Sequence, residues 1–233
     1  MASDVWAARG LAWRLAIRDI SAQYRQTLLG LGWAVLMPII NTFLWIFLQG
    51  ARIITLSKTE LPYPVYVFTG TMLCQIFVEA FQSPNLQVNQ AKAMLAKLNF
   101  PRESIILSGI LQTMFNAFIK IIILISALLF FGIYPDWNLF FLPVGIFSLI
   151  LTGTASGLLL VPIGALYKDV SRGIPLITQL GMYITPVVFP LPKGGWASVL
   201  FGINPLTPLI LTIRDWMTGF PPSQLHHFFW STD

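Results

Sequence analysis

Charge is what this sequence has least of. Only 10% of its 233 residues are Asp, Glu, Lys or Arg, where an ordinary soluble domain carries about 25%, so they cannot build a solvated globular surface. It has one cysteine, Cys74, which excludes an intrachain disulfide and leaves the redox compartment unread. Its two histidines, His226 and His227, are adjacent and lack the spacing of a helical zinc pair. No phosphate-binding loop of the form Gly, four residues, Gly, Lys, Ser or Thr occurs, so any ATP is handled by another chain. Asp136, Asp169 and Asp215 are isolated carboxylates, which argues against hydrolytic chemistry. Internal repeats, low-complexity tracts and the two-residue alternation of a membrane β-barrel are absent as well.

Apolar residues are abundant, at 56%, with a mean hydropathy of +0.74. They fall into five long stretches: Leu28 to Leu48, Pro64 to Phe81, Ile105 to Phe131, Leu139 to Leu166 and Ile174 to Leu191. Each approaches or exceeds the roughly 20 residues that cross a hydrocarbon core. Backbone groups in lipid need partners within their own segment, so such spans are helices. The expectation is an all-α, polytopic helical membrane protein forming one domain over residues 1–233. An interfacial helix covers 1–27, five spans with a cytoplasmic connection at 82–104 cover 28–191, and short outer helices fill 192–233.

Orientation follows from the basic residues. With the N-terminus in the cytoplasm, that side receives Arg9, Arg14, Arg18, Arg25, Lys92, Lys97, Arg102, Lys168 and Arg172, and the other side only Arg52, Lys58, Lys193 and Arg214. The pI near 9.6 records this bias and not a nucleic-acid groove. The basic stretch before the first apolar run lacks the pattern of a cleavable signal, so the first span is expected to serve as the insertion signal.

Within that stretch Trp6, Gly10, Trp13, Ile17, Ile20 and Tyr24 recur at steps of four and three on one helical face. Arg14, Arg18 and Arg25 flank the stripe on one side and Arg9 on the other. The pattern fits an interfacial helix whose apolar side chains dip into the headgroup boundary while the arginines snorkel to phosphates; an amphipathic helix packed on protein is the alternative. In the connection from Gln82 to Ser104, good helix formers from Gln87 to Leu98 predict a short separate helix, limited by Pro101. It is either a docking element for a soluble partner or a solvated joint.

The third and fourth spans are joined by Gly132 to Asn138 and the fourth and fifth by Tyr167 to Gly173. Beyond Leu191, prolines and glycines interrupt short apolar runs, which predicts non-spanning outer helices with Trp196 and Trp216 in the interfacial aromatic belt. Glu79 and Lys120 lie inside spans, where charges are costly. Glu79 is expected to snorkel; Lys120 is expected to pair with an acid, line a polar conduit or bind a substrate phosphate. A Glu79 to Lys120 pair is not favoured, because their estimated depths differ. Phe43, Trp45, Phe47, Tyr183 and Phe189 offer aromatic faces on which sugar rings can pack.

An ordered set of short motifs resembles the permease subunit of ABC-type polysaccharide exporters, which move lipid-linked O-antigen, capsule or teichoic-acid chains. Arg18-Asp19, Gln23-Tyr24-Arg25 and Leu28-Leu29-Gly30 with Trp33 and Pro38 resemble the family's approach to its first span. Asn99-Phe100-Pro101-Arg102-Glu103 is similar to its cytoplasmic coupling segment, and Tyr167-Lys168-Asp169-Val170 to the turn before the fifth span. Thr185-Pro186-Val187-Val188-Phe189-Pro190 resembles the motif that ends that span, and Asn204-Pro205-Leu206 the lead into the outer gate helices.

The resemblance implies a homodimeric permease, without cofactor of its own, in the plasma membrane, bound to a separate ATPase that carries ATP and Mg. Residues 85–103, with Asn89, Lys92, Lys97, Asn99, Phe100, Pro101, Arg102 and Glu103, would receive the ATPase stroke together with the N-terminal helix. Lys168, Asp169 and Arg172 would be a second contact or simply mark the turn. A conduit between two copies would draw on Phe43, Trp45, Phe47, Lys120, Tyr183 and Phe189. The family has a sixth span where this sequence stops at Asp233, after His226-His227-Phe228-Phe229-Trp230, so a truncated chain is expected. The alternatives are an ABC permease for drugs or small lipids and a non-transport membrane enzyme or assembly protein of envelope synthesis.

Overall fold

A computed structural model describes residues 2–25, 30, 32–51, 61–95, 102–134, 136–191, 194 and 196–219. Among them every regular element is a helix: α1 Ala2–Arg25, α2 Gly32–Gly50, α3 Tyr63–Leu95, α4 Arg102–Phe130, α5 Leu142–Leu166, α6 Lys168–Tyr183, α7 Trp196–Ile203 and α8 Leu206–Thr218, with a 3-10 turn at Trp137–Phe141 before α5. Among the described residues three stretches are long and apolar enough to cross a membrane, Tyr63–Lys92, Glu103–Phe130 and Trp137–Leu166.

The central element is α3, which packs on α5 and α4 and also touches α2, α6 and α8. Its closeness to α5 has a local cause. Gly153 and Gly157 form a small-xxx-small pair, and a Cβ on Gly157 would collide with the Phe81 carbonyl oxygen, while one on Gly153 would stand 2.8 Å from Ala80 Cβ. Small residues at this spacing let two backbones approach, which is how helices associate where lipid is as apolar as leucine. Phe77 and Phe81 stack beside the contact with centroids 6.0 Å apart.

Three expectations are corrected. Over its described part, Gln87 to Leu95, the expected separate helix is the end of α3, which runs 33 residues without a break and carries Pro84 inside it. The helix persists because its second half is itself packed, with Asn85 and Gln87 6% and 4% exposed. The rest of the expected connection, residues 96–101, lies outside the described ones. The turn from Tyr167 to Gly173 is also helical apart from Tyr167, whose extended backbone alone separates α5 from α6.

The expected fifth span differs as well. In place of Ile174 to Leu191, α6 begins at Lys168 and stops at Tyr183, 16 residues in all, or about 24 Å of helix. Residues 184–190 then fold as turns, hereafter the elbow. Pro186 lacks an N–H and disfavours helical backbone at Thr185, which accounts for the stop. At the end of α4, Gly132 adopts φ +73, with Ile133 N–H bonded to Leu128 O and Gly132 N–H to Leu129 O, both at 3.0 Å. This Schellman closure turns the chain toward α5.

Candidate functional site: a coupling end and a clamped elbow

At one end of the bundle α1 lies against α4. The side of α1 facing protein is a stripe of small residues, Ala12 and Ala16, 0% and 2% exposed. Trp13 and Ile17, of the stripe read as membrane-facing, are 59% and 49% exposed. Arg9 and Arg14 are exposed, and the exposed Arg18 pairs with Asp19 at 2.7 Å. Trp6 and Arg25 lie within α1. The helix thus packs on protein through alanines and leaves Trp13 and Ile17 of the stripe exposed.

Between α1, α3 and α4 opens a cavity of about 450 Å³ lined by amides and carboxylates, among them Asp19, Gln23, Glu79, Gln82, Gln112 and Asn116. Gln112 links two walls, donating to Gln23 Oε1 at 3.1 Å and accepting from Gln87 Nε2 at 2.8 Å. At one side of the cavity Glu79 forms an ion pair with Lys120 of α4. Lys120 is 3% exposed. It therefore belongs to the α3–α4 contact and not to an aromatic conduit, and the pair the sequence reading disfavoured is formed. The long lysine stem bridges the difference in depth between the two residues.

The same end gathers the expected coupling residues. Asn89 donates to Asn85 Oδ1 at 3.3 Å and to Ser171 Oγ at 3.4 Å. Ser171 in turn donates to Gly164 O at 2.9 Å. The end of α3 is thereby fastened to the corner where α5 meets α6. Lys92 is exposed in the last turn of α3, Arg102 and Glu103 open α4, and Lys168, Asp169 and Arg172 stand in the first part of α6. Lys97, Asn99, Phe100 and Pro101 lie outside the described residues.

At the opposite end of α3 three of the aromatics come together. Trp45 of α2 meets Tyr183 and Phe189 edge-on, with centroids 6.2 and 5.8 Å away. Phe43 and Phe47 are not in this cluster; two positions from Trp45, they point off the other side of α2 and are 69% and 61% exposed. The cluster includes Phe189 of the elbow, whose carbonyls are held from several directions. Tyr66 of α3 donates its hydroxyl to Pro186 O at 3.2 Å and Phe189 O at 3.4 Å. Arg214 of α8 donates through Nη2 to Pro186 O at 3.1 Å and to Tyr66 O at 3.3 Å, its guanidinium 3.8 Å from the Tyr66 ring centroid. Asn204, between α7 and α8, donates to Ile184 O at 3.2 Å and Thr185 Oγ1 at 3.0 Å while accepting from Leu206 N–H at 3.0 Å.

Arg214 and Tyr66 escaped the sequence reading, which counted Arg214 only as an outer basic residue. A signal was present: Arg214 follows Ile210 by four residues and precedes Met217 by three, which places it on the apolar face of its helix. Trp216, assigned to the aromatic belt, is instead 6% exposed, packed 5.7 Å from Phe141. Gly145 gives it room, since a Cβ there would lie 3.0 Å from its ring. Among the described residues no group of three or more His, Cys, Asp or Glu side chains could hold a metal ion.

Comparison with known proteins places residues 11–218 within a family described as ABC-2 type transporter. The O-antigen export system permease protein RfbA of Myxococcus xanthus is 21% identical over 215 residues, covering 91% of this chain and 81% of the relative. Its namesake from Klebsiella pneumoniae is 23% identical over 207 residues, covering 85% and 76%. The polysialic acid transport protein KpsM of Escherichia coli is 22% identical over 208 residues, covering 86% and 78%.

Proposed function

Because this chain belongs to the ABC-2 type transporter family, we propose that it is the membrane-spanning permease of an ATP-driven exporter of lipid-linked polysaccharide, and that ATP is hydrolysed on a separate subunit. The relatives carry the substrate class, being named as permeases for O-antigen export and as a polysialic acid transporter. The chain sits in the plasma membrane with its N-terminus and the basic ends of α3 and α4 in the cytoplasm, in line with the distribution of Lys and Arg.

The observation that supports coupling most is the Asn85, Asn89 and Ser171 junction. It joins the end of α3 to the α5–α6 corner, so a push from an ATPase on Lys92, three residues beyond Asn89 on the same helix, is passed to α6 through side-chain hydrogen bonds. At its far end α6 leads directly into the aromatic cluster of Trp45, Tyr183 and Phe189. Two copies of the chain face each other across α2 and α6, whose exposed side chains Phe43, Phe47, Leu176 and Leu180 would border a path for sugars. Sugar C–H faces pack on such aromatic surfaces while their hydroxyls keep water.

The test is mild-detergent affinity purification of the tagged chain from its native membranes, with mass spectrometry of what stays bound. A phosphate-loop ATPase recovered in equal stoichiometry, together with a second copy of the chain, is the expected outcome. Recovery of the chain with no ATPase across detergents would count against the reading.

A further inference from the structure

Arg214 is an anomaly in energetic terms. It is 2% exposed, and its Nε and Nη1 have no hydrogen-bond partner among the described residues. A cation in such a place is costly to bury, and leucine or methionine would fill the same volume without that cost. What the guanidinium does there is hold backbone: one nitrogen serves the carbonyls of both Pro186 and Tyr66, and its plane lies over the Tyr66 ring. Gly70 makes the approach feasible, because a Cβ there would strike Arg214 Nη2 and lie 2.6 Å from Val187 O.

We propose that Arg214 is a positioning residue for export: it clamps the elbow to α3 and α8, so that α6, the elbow and the gate helix α8 move as one body and the Trp45, Tyr183 and Phe189 cluster keeps its alignment through the stroke. The idea rests on the export reading for its consequence, though not for its geometry. The elbow has few bonds of its own, with Val187 N–H to Thr185 O at 2.7 Å the one internal backbone bond among residues 184–190. Ile184 N–H and Thr185 Oγ1 bond back to Gly181 O of α6 at 3.2 and 2.8 Å, and across to α3 and α8 the elbow is held by the hydroxyl of Tyr66, the amide of Asn204 and the Arg214 guanidinium. Methionine at 214 removes the bonds and keeps the bulk. Lysine keeps the charge and a donor but loses the planar face that stacks on Tyr66.

The test has two arms in the full chain with its ATPase. In a Cys74→Ser background, Val188→Cys places a thiol at a position 1% exposed, and its labelling by a membrane-permeant maleimide reports release of the elbow without reference to transport. Losing charge-assisted bonds shifts the open population by about tenfold or more, so Arg214→Met should raise the labelling rate by that factor and Arg214→Lys by less. In the second arm, Arg214→Met should keep ATP hydrolysis within about twofold while export per ATP falls by about tenfold. Unchanged labelling in Arg214→Met would overturn the clamp. So would a parallel fall of hydrolysis and export, which marks a merely structural role. Increased labelling in a chain that proves to carry no glycan would sustain the clamp and remove the export reading instead.

Discussion

Lys120 of α4 forms an ion pair with Glu79 of α3, and the carboxylate it engages belongs to the polar cavity under α1. The two ends of the pair differ in environment, the lysine side chain being 4% and the glutamate side chain 39% exposed. Removing one partner is therefore unequal to removing the other. Glu79→Leu strands a buried ammonium and should lower stability by about 3 kcal/mol. Lys120→Met leaves a carboxylate that lines the cavity but whose Oε2 is buried without a hydrogen-bond partner among the described residues, and should cost less, about 1–2 kcal/mol. Thermal unfolding of the purified variants in detergent checks the order, and equal losses would show that the cavity does not hydrate Glu79.

The α3–α5 contact predicts a contrast between glycines. Gly157→Val forces the helices apart at Phe81 and should destabilise by about 3 kcal/mol or prevent assembly. Gly181→Ala, where nothing lies within 4 Å of the added carbon, should be neutral or stabilising by about 0.5–1 kcal/mol through helix propensity. Unfolding midpoints in one detergent, compared side by side, decide it.

Ser171 ties α6 to Asn85, Asn89 and Gly164. Ser171→Ala should cost only about 1 kcal/mol in stability, yet loosen the link between the proposed ATPase surface and the elbow. The expected result is ATP hydrolysis close to the parent with less glycan exported per ATP. An unchanged ratio would mean that the stroke travels by another route.

Small side chains hold α1 to α4. Ala16→Leu, at a position 2% exposed, overpacks this contact and should destabilise by about 1–3 kcal/mol. Trp13→Ala, on the free face, should leave the unfolding midpoint within about 0.5 kcal/mol of the parent and reduce retention of α1 at anionic lipid. Protease nicking after Arg9 or Arg14 in vesicles of differing phosphatidylglycerol content separates the two effects.

Composition and periodicity made the helical membrane class legible, because apolar runs of this length have few other solutions. They were poor guides to where helices end. The second apolar stretch ends at Phe81, yet tertiary support from Asn85 and Gln87 carries α3 on through Pro84; Pro186 reads as part of a span, yet it stops α6. Lys120 and Glu79 were visible as costly charges, but estimated depth ignored the reach of a lysine stem. Arg214 was hidden for a different reason. A cation held by carbonyls leaves no acidic partner in the sequence to find, and only its position on the apolar face of α8 could have flagged it. The close approach of α3 and α5 was written in Gly153-Thr154-Ala155-Ser156-Gly157 and could have been read.

The central claim is that this chain conducts a lipid-linked glycan outward. Its most direct measurement is the side of the plasma membrane on which that glycan resides in cells lacking the gene, read by a membrane-impermeant lectin or galactose oxidase before and after lysis. Export by this chain predicts glycan accumulated inside, reached only after lysis, and restored to the outer face when the gene is returned. Glycan displayed outside at the parental level in the deletion strain would contradict the account.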